Sequence, residues 1–256
     1  MATMREPDAT FADPRQAAVY DIFNGDEHTR ADLDAYVAVA HEVGARRVVD
    51  VGCGTGSLAV RLAGAGFDVV GVDPAGASLD VARAKPGADR VTWVHGDATA
   101  LDGLGHGADL AVMTGNVAQV FVSDDDWSDT LDAVRRALRP GGWLVFETRR
   151  PEVHDWETWT IPPTQVTTSD GRSAVVQCTV TEVALPLVTF MGSTTIGAEV
   201  LRSTSTLRFR ERGEIERDLA EHGFDVVDVR DAPDRPGKEH VFVARATEDA
   251  GRAAGG

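Results

Sequence analysis

Cysteine is scarce in this chain. Only Cys53 and Cys178 occur, far apart, so the sequence suggests neither a disulfide framework nor a zinc site, and no metal is expected. Long apolar runs are also lacking. None approaches about 18 residues, the minimum for a membrane-spanning helix, so no membrane partner is expected. Met1 to Asp13 is polar and acidic with no apolar core, so no secretory signal is read there. Positive charge is in deficit: 25 Lys and Arg stand against 41 Asp and Glu, a formal net charge of −16. Nucleic-acid binding depends on cations that neutralise phosphates, so that balance argues against such a partner. A strongly acidic surface suits solubility instead. No internal repeat is visible. What is present is ordinary for a globular enzyme: 43% of residues are hydrophobic, enough for a sizeable core. The length suits one large α/β domain, or one domain with an insertion. A cytoplasmic enzyme is the default expectation.

The rest of the chain is organised around Arg47 to Gly64. Val48 to Val51 is apolar except for Asp50 and reads as a buried parallel strand. Gly52, Gly54 and Gly56 follow at alternate positions, with Cys53 and Thr55 between them. Leu58, Ala59, Leu62 and Ala63 then recur at helical spacing. In such a strand, glycine turn and helix, backbone N–H groups can approach a ligand, because no Cβ stands in the way. A dinucleotide turn reads G-x-G-x-x-G, but Ser57 occupies its third glycine position here. Cys53 reads as a small packing residue in the turn.

The G-x-G-x-G spacing, with Asp50 two residues ahead, resembles motif I of the class I S-adenosylmethionine-dependent methyltransferases. That resemblance implies S-adenosylmethionine as cofactor. Gly52 to Gly56 would pack on its amino-acid part, and Asp50 would face its amino group, directly or through water.

The remaining segments are consistent with that family. Residues 1 to about 14 are expected to be disordered. Gln16 to Phe23 is a short amphipathic stretch, and Glu27 to Val43 reads as a helix closed by Gly44. By resemblance this helical cap covers the cofactor with Tyr20 as a lid contact; a core role for Tyr20 is the alternative. Gly66 to Asp73 is a second strand. Its terminal Asp73, followed by Pro74, can accept hydrogen bonds from both ribose hydroxyls of an adenosine, or can cap the helix Ser78 to Lys85. Arg90 to Ala98 holds the third strand and its turn. The resemblance puts Asp97 at the adenine amine and the Ala98 N–H at a ring nitrogen; an Asx turn is the plain alternative. Ala108 to Met113 is the fourth strand and leads into Thr114, Gly115 and Asn116. Strands one and four flank the point where sheet order reverses, so this loop should lie beside the reactive methyl. Gly115 and Asn116 permit unusual backbone there. The loop lacks the N/D-P-P-Y/F motif of enzymes that methylate base amines or glutamine amides. Asp125 to Leu138 reads as a helix, and the Arg139-Pro140-Gly141-Gly142 that follows, before the strand Trp143 to Thr148, resembles the family element before strand five.

From Pro151 to about Ser205 the rhythm changes to Thr- and Val-rich alternation, with a hairpin signal at Asp170-Gly171. Three or four inserted antiparallel strands are expected, as a substrate cover, a dimerisation sheet or both. A helix ending at His222, a strand Phe224 to Arg230 and a strand Glu239 to Arg245 complete the domain. The expected fold is a Rossmann-like, doubly wound, seven-stranded α/β sheet. Strand seven is antiparallel, a helical cap precedes the sheet, and an antiparallel β region is inserted after strand five. The domain should span 15–245, the insert about 151–205, and 246–256 should be a disordered tail. The resemblance implies in-line methyl transfer to the O, N or C atom of a small-molecule acceptor, by a monomer or a homodimer formed through the insert. Glu147, at the end of strand five, and His154 beyond it are the candidate bases, with Asp155 nearby. An NAD-dependent oxidoreductase and a non-catalytic S-adenosylmethionine-binding protein are the other readings.

Overall fold

A computed structural model describes residues 7–24, 30–104, 107–167 and 171–248. Two short helices open it, α1 (Ala9–Ala12) and α2 (Pro14–Asn24). Helix α3 (Asp34–Glu42) follows a 3-10 turn at Ala31–Leu33. Then come β1 (Arg47–Val51), α4 (Ser57–Gly64), β2 (Asp68–Asp73), α5 (Gly76–Arg83), β3 (Val91–His95), β4 (Ala108–Met113), α6 (Asp124–Ala137) and β5 (Leu138–Arg149). Four strands form the insert: β6 (Ile161–Thr167), β7 (Ser173–Ala184), β8 (Leu187–Ile196) and β9 (Glu199–Arg208). Helix α7 (Arg212–Glu221), β10 (Phe224–Asp231) and β11 (Glu239–Ala246) close the fold.

The main sheet has seven strands in the order β10-β11-β5-β4-β1-β2-β3. Strand β11 runs antiparallel to both neighbours, and the pairings from β5 to β3 are all parallel. The expected architecture is therefore the observed one. Alternation along the strands explains why both faces are covered. In β1, Val49 and Val51 join a core built with Trp127, Leu131 and Phe146, while Val48 turns to the opposite core with Leu58, Leu62 and Tyr36. Order reverses between β1 and β4, which opens a crevice at the carboxyl ends of those strands.

The structure differs from the sequence expectations at several ends. Residues 7–14 are ordered into α1 and the start of α2; Asp8 caps α1 by accepting the Thr10 N–H at 2.8 Å. Residues 1–6 and 249–256 lie outside the described residues, as do residues 25–29 of the expected helix and Asp170 of the hairpin signal. Strand β5 begins at Leu138 and runs through the Pro-Gly-Gly segment, with a register shift against β4. There Gly141 adopts φ 69°, and a Cβ on Gly142 would stand 3.0 Å from the Arg139 carbonyl oxygen. The insert is one antiparallel sheet ordered β6-β7-β8-β9, extending to Arg208. Among the described residues no helix is long and apolar enough to cross a membrane.

Candidate cofactor site

The glycine turn is fixed by the strand beside it. The N–H groups of Gly52 and Cys53 both donate to the Val72 carbonyl, at 2.9 and 3.1 Å. Gly56 N–H donates to the Cys53 carbonyl at 2.8 Å. Two of the glycines are demanded by packing as well as conformation. At Gly52, φ 71°, a Cβ would lie 2.8 Å from both Val117 methyls. At Gly56, φ 79°, it would lie 2.4 Å from the Trp93 ring and 2.8 Å from Ala82.

Above this turn lies a cavity of about 370 Å³, within the usual range of about 300–1,000 Å³ for small-molecule sites. Asp50, Gly52, Cys53, Gly54 and Thr55 line it from β1 and the turn. Asp73 and Pro74 line it from β2, Asp97 and Ala98 from the turn after β3, and Thr114 and Gly115 from the loop after β4. Tyr20 and Phe11 face it from the N-terminal helices, and Thr204 to Leu207 from β9.

Asp50 is the outstanding group. It is 1% exposed, no side chain pairs with it, and neither carboxylate oxygen makes a full hydrogen bond. Burial, and then the nearby Asp73 carboxylate, push its pKa up to about 7, and the nearby Ala59 N–H only partly counters that rise. Asp73 accepts the Gly54 N–H at 2.7 Å and the Ala75 N–H at 2.8 Å. Burial pushes Asp73 up, and those two N–H groups counter part of that rise. Asp97 forms an Asx turn, accepting from the Thr99 N–H at 3.0 Å and hydroxyl at 2.5 Å. Cys53 is packed against Gly71, and burial pushes its thiol well up, so it is no thiolate nucleophile.

The roof of the cavity is tied down on both sides. Thr55 Oγ1 donates to Asp21 at 2.6 Å. Lys85 Nζ meets the other Asp21 oxygen at 2.6 Å and Ser57 Oγ at 2.8 Å. The Phe11 ring packs against Tyr20 at 5.4 Å, tilted by 52°, and the Phe11 carbonyl accepts from Ser78 at 3.0 Å. Toward the insert, Ser205 Oγ donates to Asp8 at 2.5 Å, and Gln16 Nε2 donates to the Arg202 carbonyl at 2.9 Å. Sequence reasoning did not find Asp8, Asp21, Lys85 or Ser205. Asp21 sits on the amphipathic stretch beside Tyr20, the one local signal that could have flagged it.

Four expected site residues do not reach the cavity wall. Gly56 lies in the turn but faces Trp93. Asn116 is 2% exposed and donates from Nδ2 to Glu239 at 3.0 Å, on the far side of the loop. Glu147 is buried with both oxygens engaged, one by the Tyr36 hydroxyl and one by the Gly115 N–H at 2.6 Å. Burial pushes its carboxyl up. His154 sits on the surface after β5, its ring tilted against Trp156 at 4.9 Å and 3.6 Å from Glu157. Asp155 is held by Lys238 at 2.8 Å and the Trp159 indole N–H at 3.1 Å. A separate row, Ser128 to His222 at 3.0 Å and His222 to Asp132 at 2.7 Å, ties α6 to the end of α7 and lines no part of this cavity.

The strand order with one antiparallel member, the glycine turn at the switch point and the acids at successive strand ends are those of the Rossmann-like methyltransferase fold. Residues 48–142 match the family model described as a methyltransferase domain. A curated protein of Geobacillus sp. (strain WCH70), provisionally named a methyltransferase, is 36% identical over 106 residues, 41% of this chain and 42% of that protein. The chain thus spans less than half the length of that relative. Among solved structures, the sugar N-methyltransferase KedS8 from Streptoalloteichus sp. ATCC 53650 matches with a TM-score of 0.73 and 21% identity, over 97% of this chain and 98% of that one. The amino pentose methyltransferase CalS10 from Micromonospora echinaspora, solved with S-adenosylmethionine bound, matches at 0.68 and 23%, over 90% and 97%. At these identities the likeness is one of fold.

Proposed function

We propose that this chain is an S-adenosylmethionine-dependent methyltransferase acting on a small-molecule acceptor. One observation carries the reading: a fully buried, unpartnered carboxylate, Asp50, faces the cavity beside the glycine turn. A buried carboxylate without a partner is costly, and a cationic ligand group relieves it. The wider lining supports this. Asp8, Asp21, Asp50, Asp73 and Asp97 stand against Arg30, whose guanidinium is held by Asp32 at 2.5 to 3.0 Å.

The residues present fit S-adenosylmethionine. Asp50 would take its ammonium, and Asp73 its ribose hydroxyls. Asp97 and the Ala98 N–H would take the adenine, with Tyr20 and Phe11 as roof. When bound, that cofactor supplies an electrophilic methyl on sulfur. The protein's part is to hold the acceptor near about 3 Å and in line, and to keep water out. Thr114, Gly115 and Val117 form the wall where strands β1 and β4 diverge. The names of the two structural neighbours, a sugar N-methyltransferase and an amino pentose methyltransferase, support a nitrogen acceptor. A neutral amine brings its own lone pair and needs no general base. That suits a cavity from which Glu147 and His154 are absent.

The proposal extends to a cytoplasmic protein without a nucleic-acid partner, its domain running from about residue 7 to 246. Exposed Ile161, Val175, Met191 and Val200 on the insert support a homodimer through that sheet, with a monomer as the alternative.

Calorimetry with S-adenosylhomocysteine and with NAD tests the cofactor. Binding of the first and not the second is expected; the reverse would turn the assignment to an oxidoreductase. Transfer of labelled methyl across a panel of small amines then separates an enzyme from a protein that only binds.

A further inference from the structure

The loop after β4 is braced from behind by buried charge. Gly115 at φ 72° and Asn116 at φ 61° are two successive left-handed residues, and the second carries a side chain. Such a pair persists only where its surroundings hold it. Glu147 accepts the Gly115 N–H at 2.6 Å, and Glu239 accepts from Asn116 Nδ2 at 3.0 Å. The register pairs Val241 with Glu147 and Glu239 with Arg149, so both glutamates lie on one face of the β5–β11 pair. Each is fixed in turn. The Tyr36 hydroxyl donates to Glu147, and Arg235 donates to Glu239 at 2.7 Å. In front, Val117 meets Gly52 with no room for a Cβ. The loop therefore has charge behind it and the glycine turn before it.

We infer that Glu147 is a positioning residue and not a general base, fixing with Glu239 the Thr114–Asn116 backbone against which the acceptor lies. This rests on the methyltransferase reading for its consequence, but not for its geometry.

Two substitutions test it. In Glu147→Gln the amide oxygen still accepts the Gly115 N–H, and Nε2 can donate to the Tyr36 oxygen. Glu147→Leu keeps similar bulk and loses both bonds. With the best amine acceptor, Glu147→Leu is expected to lower kcat by roughly 100-fold, the scale of a 1 Å misplacement, with S-adenosylhomocysteine affinity within about threefold. Glu147→Gln is expected to rescue most of that loss and to leave the pH–rate profile unmoved. The backbone amide exchange of Gly115 in the free protein should quicken in the Leu variant and not in the Gln variant. A base would behave otherwise: Glu147→Gln would lose turnover as fully as Leu, and the acidic limb of the profile would vanish. Either that result, or a Leu variant with unchanged kcat and Gly115 exchange, overturns the proposal. If Glu147→Leu does not fold, Glu239→Met, which removes the acceptor of Asn116 Nδ2 at similar bulk, should quicken exchange at Asn116, and unchanged exchange there counts against the brace. If the parent fails to bind S-adenosylhomocysteine, the enzyme reading falls while the exchange measurement still judges the brace.

Discussion

Ligand affinity should depend steeply on pH below neutrality, because the group proposed to meet the ligand's ammonium is about half protonated in the free protein at pH 7. Asp50 has an ordinary value of 3.8 and is raised to about 7 by burial and by Asp73. The ligand needs the ionised form. With a pKa of about 7, roughly three quarters of the free protein carries that form at pH 7.5, and roughly a tenth at pH 6. Binding of S-adenosylhomocysteine should therefore weaken by about eightfold between those values, with close to one proton released per ligand at pH 6. Asp73, also raised, acts in the same direction. The assay is calorimetry in two buffers of different ionisation enthalpy, which counts protons directly.

The same residue sets an opposite trend in stability. Its folded-state pKa lies above the unfolded value, so the folded state binds the proton more tightly. The free protein then loses stability as pH rises from about 4 to about 7, by up to about 4 kcal/mol. Asp50→Asn should remove this loss, raising the melting temperature at pH 7.5 while weakening ligand binding and flattening its pH dependence. Affinity independent of pH with no proton release would refute the reasoning. So would an Asn variant that binds as well as the parent with the same slope.

Two further outcomes follow from the packing. Gly56→Ala places a Cβ 2.4 Å from Trp93 at φ 79°; a loss of about 3 kcal/mol is expected, read as a fall of roughly 6–12 °C in Tm. Lys85→Met removes the cation between Asp21 and Ser57; limited proteolysis should then cut within residues 7–24 several-fold faster, and a bound ligand should slow that cleavage again.

The sheet was legible because its code is local. The near-continuous apolar runs of β1 and β4 require cover on both faces, and the turn residues between elements bound each unit. Asp50 stood out as the acid inside the apolar run of β1, and an acid that spoils a buried strand has few purely structural explanations. The ends were less legible. Pro140 with two glycines reads as a turn, yet the chain continues as strand because the bulge opposite Ala108 and Leu110 absorbs the extra residues. Strand β6 begins Ile161-Pro162-Pro163, a poor strand start by composition. It is tolerated because β6 is the edge of the inserted sheet, where an absent N–H breaks no ladder on one side. The ordered segment 7–14 escaped notice because its partners, Ser78 and Ser205, lie 67 and 197 residues away.

Glu147 shows why a strand-end acid cannot be given a role from sequence alone. Its position, at the end of β5 beside the switch point, is that of a base. Its role depends on what fills its two oxygens, and those partners come from Tyr36, 111 residues earlier, and Gly115, 32 residues earlier. Neither pairing leaves a periodic trace. The contrast with Asp50 is one of unmet need. Both acids are buried at the carboxyl edge of the sheet, but Glu147 is satisfied by the fold and Asp50 is not. A carboxylate that the fold has already satisfied serves the backbone it holds. One left without a partner in the wall of a cavity is stabilised only by what enters, so the chemistry of the ligand is to be sought at Asp50 and the geometry of its placement at Glu147.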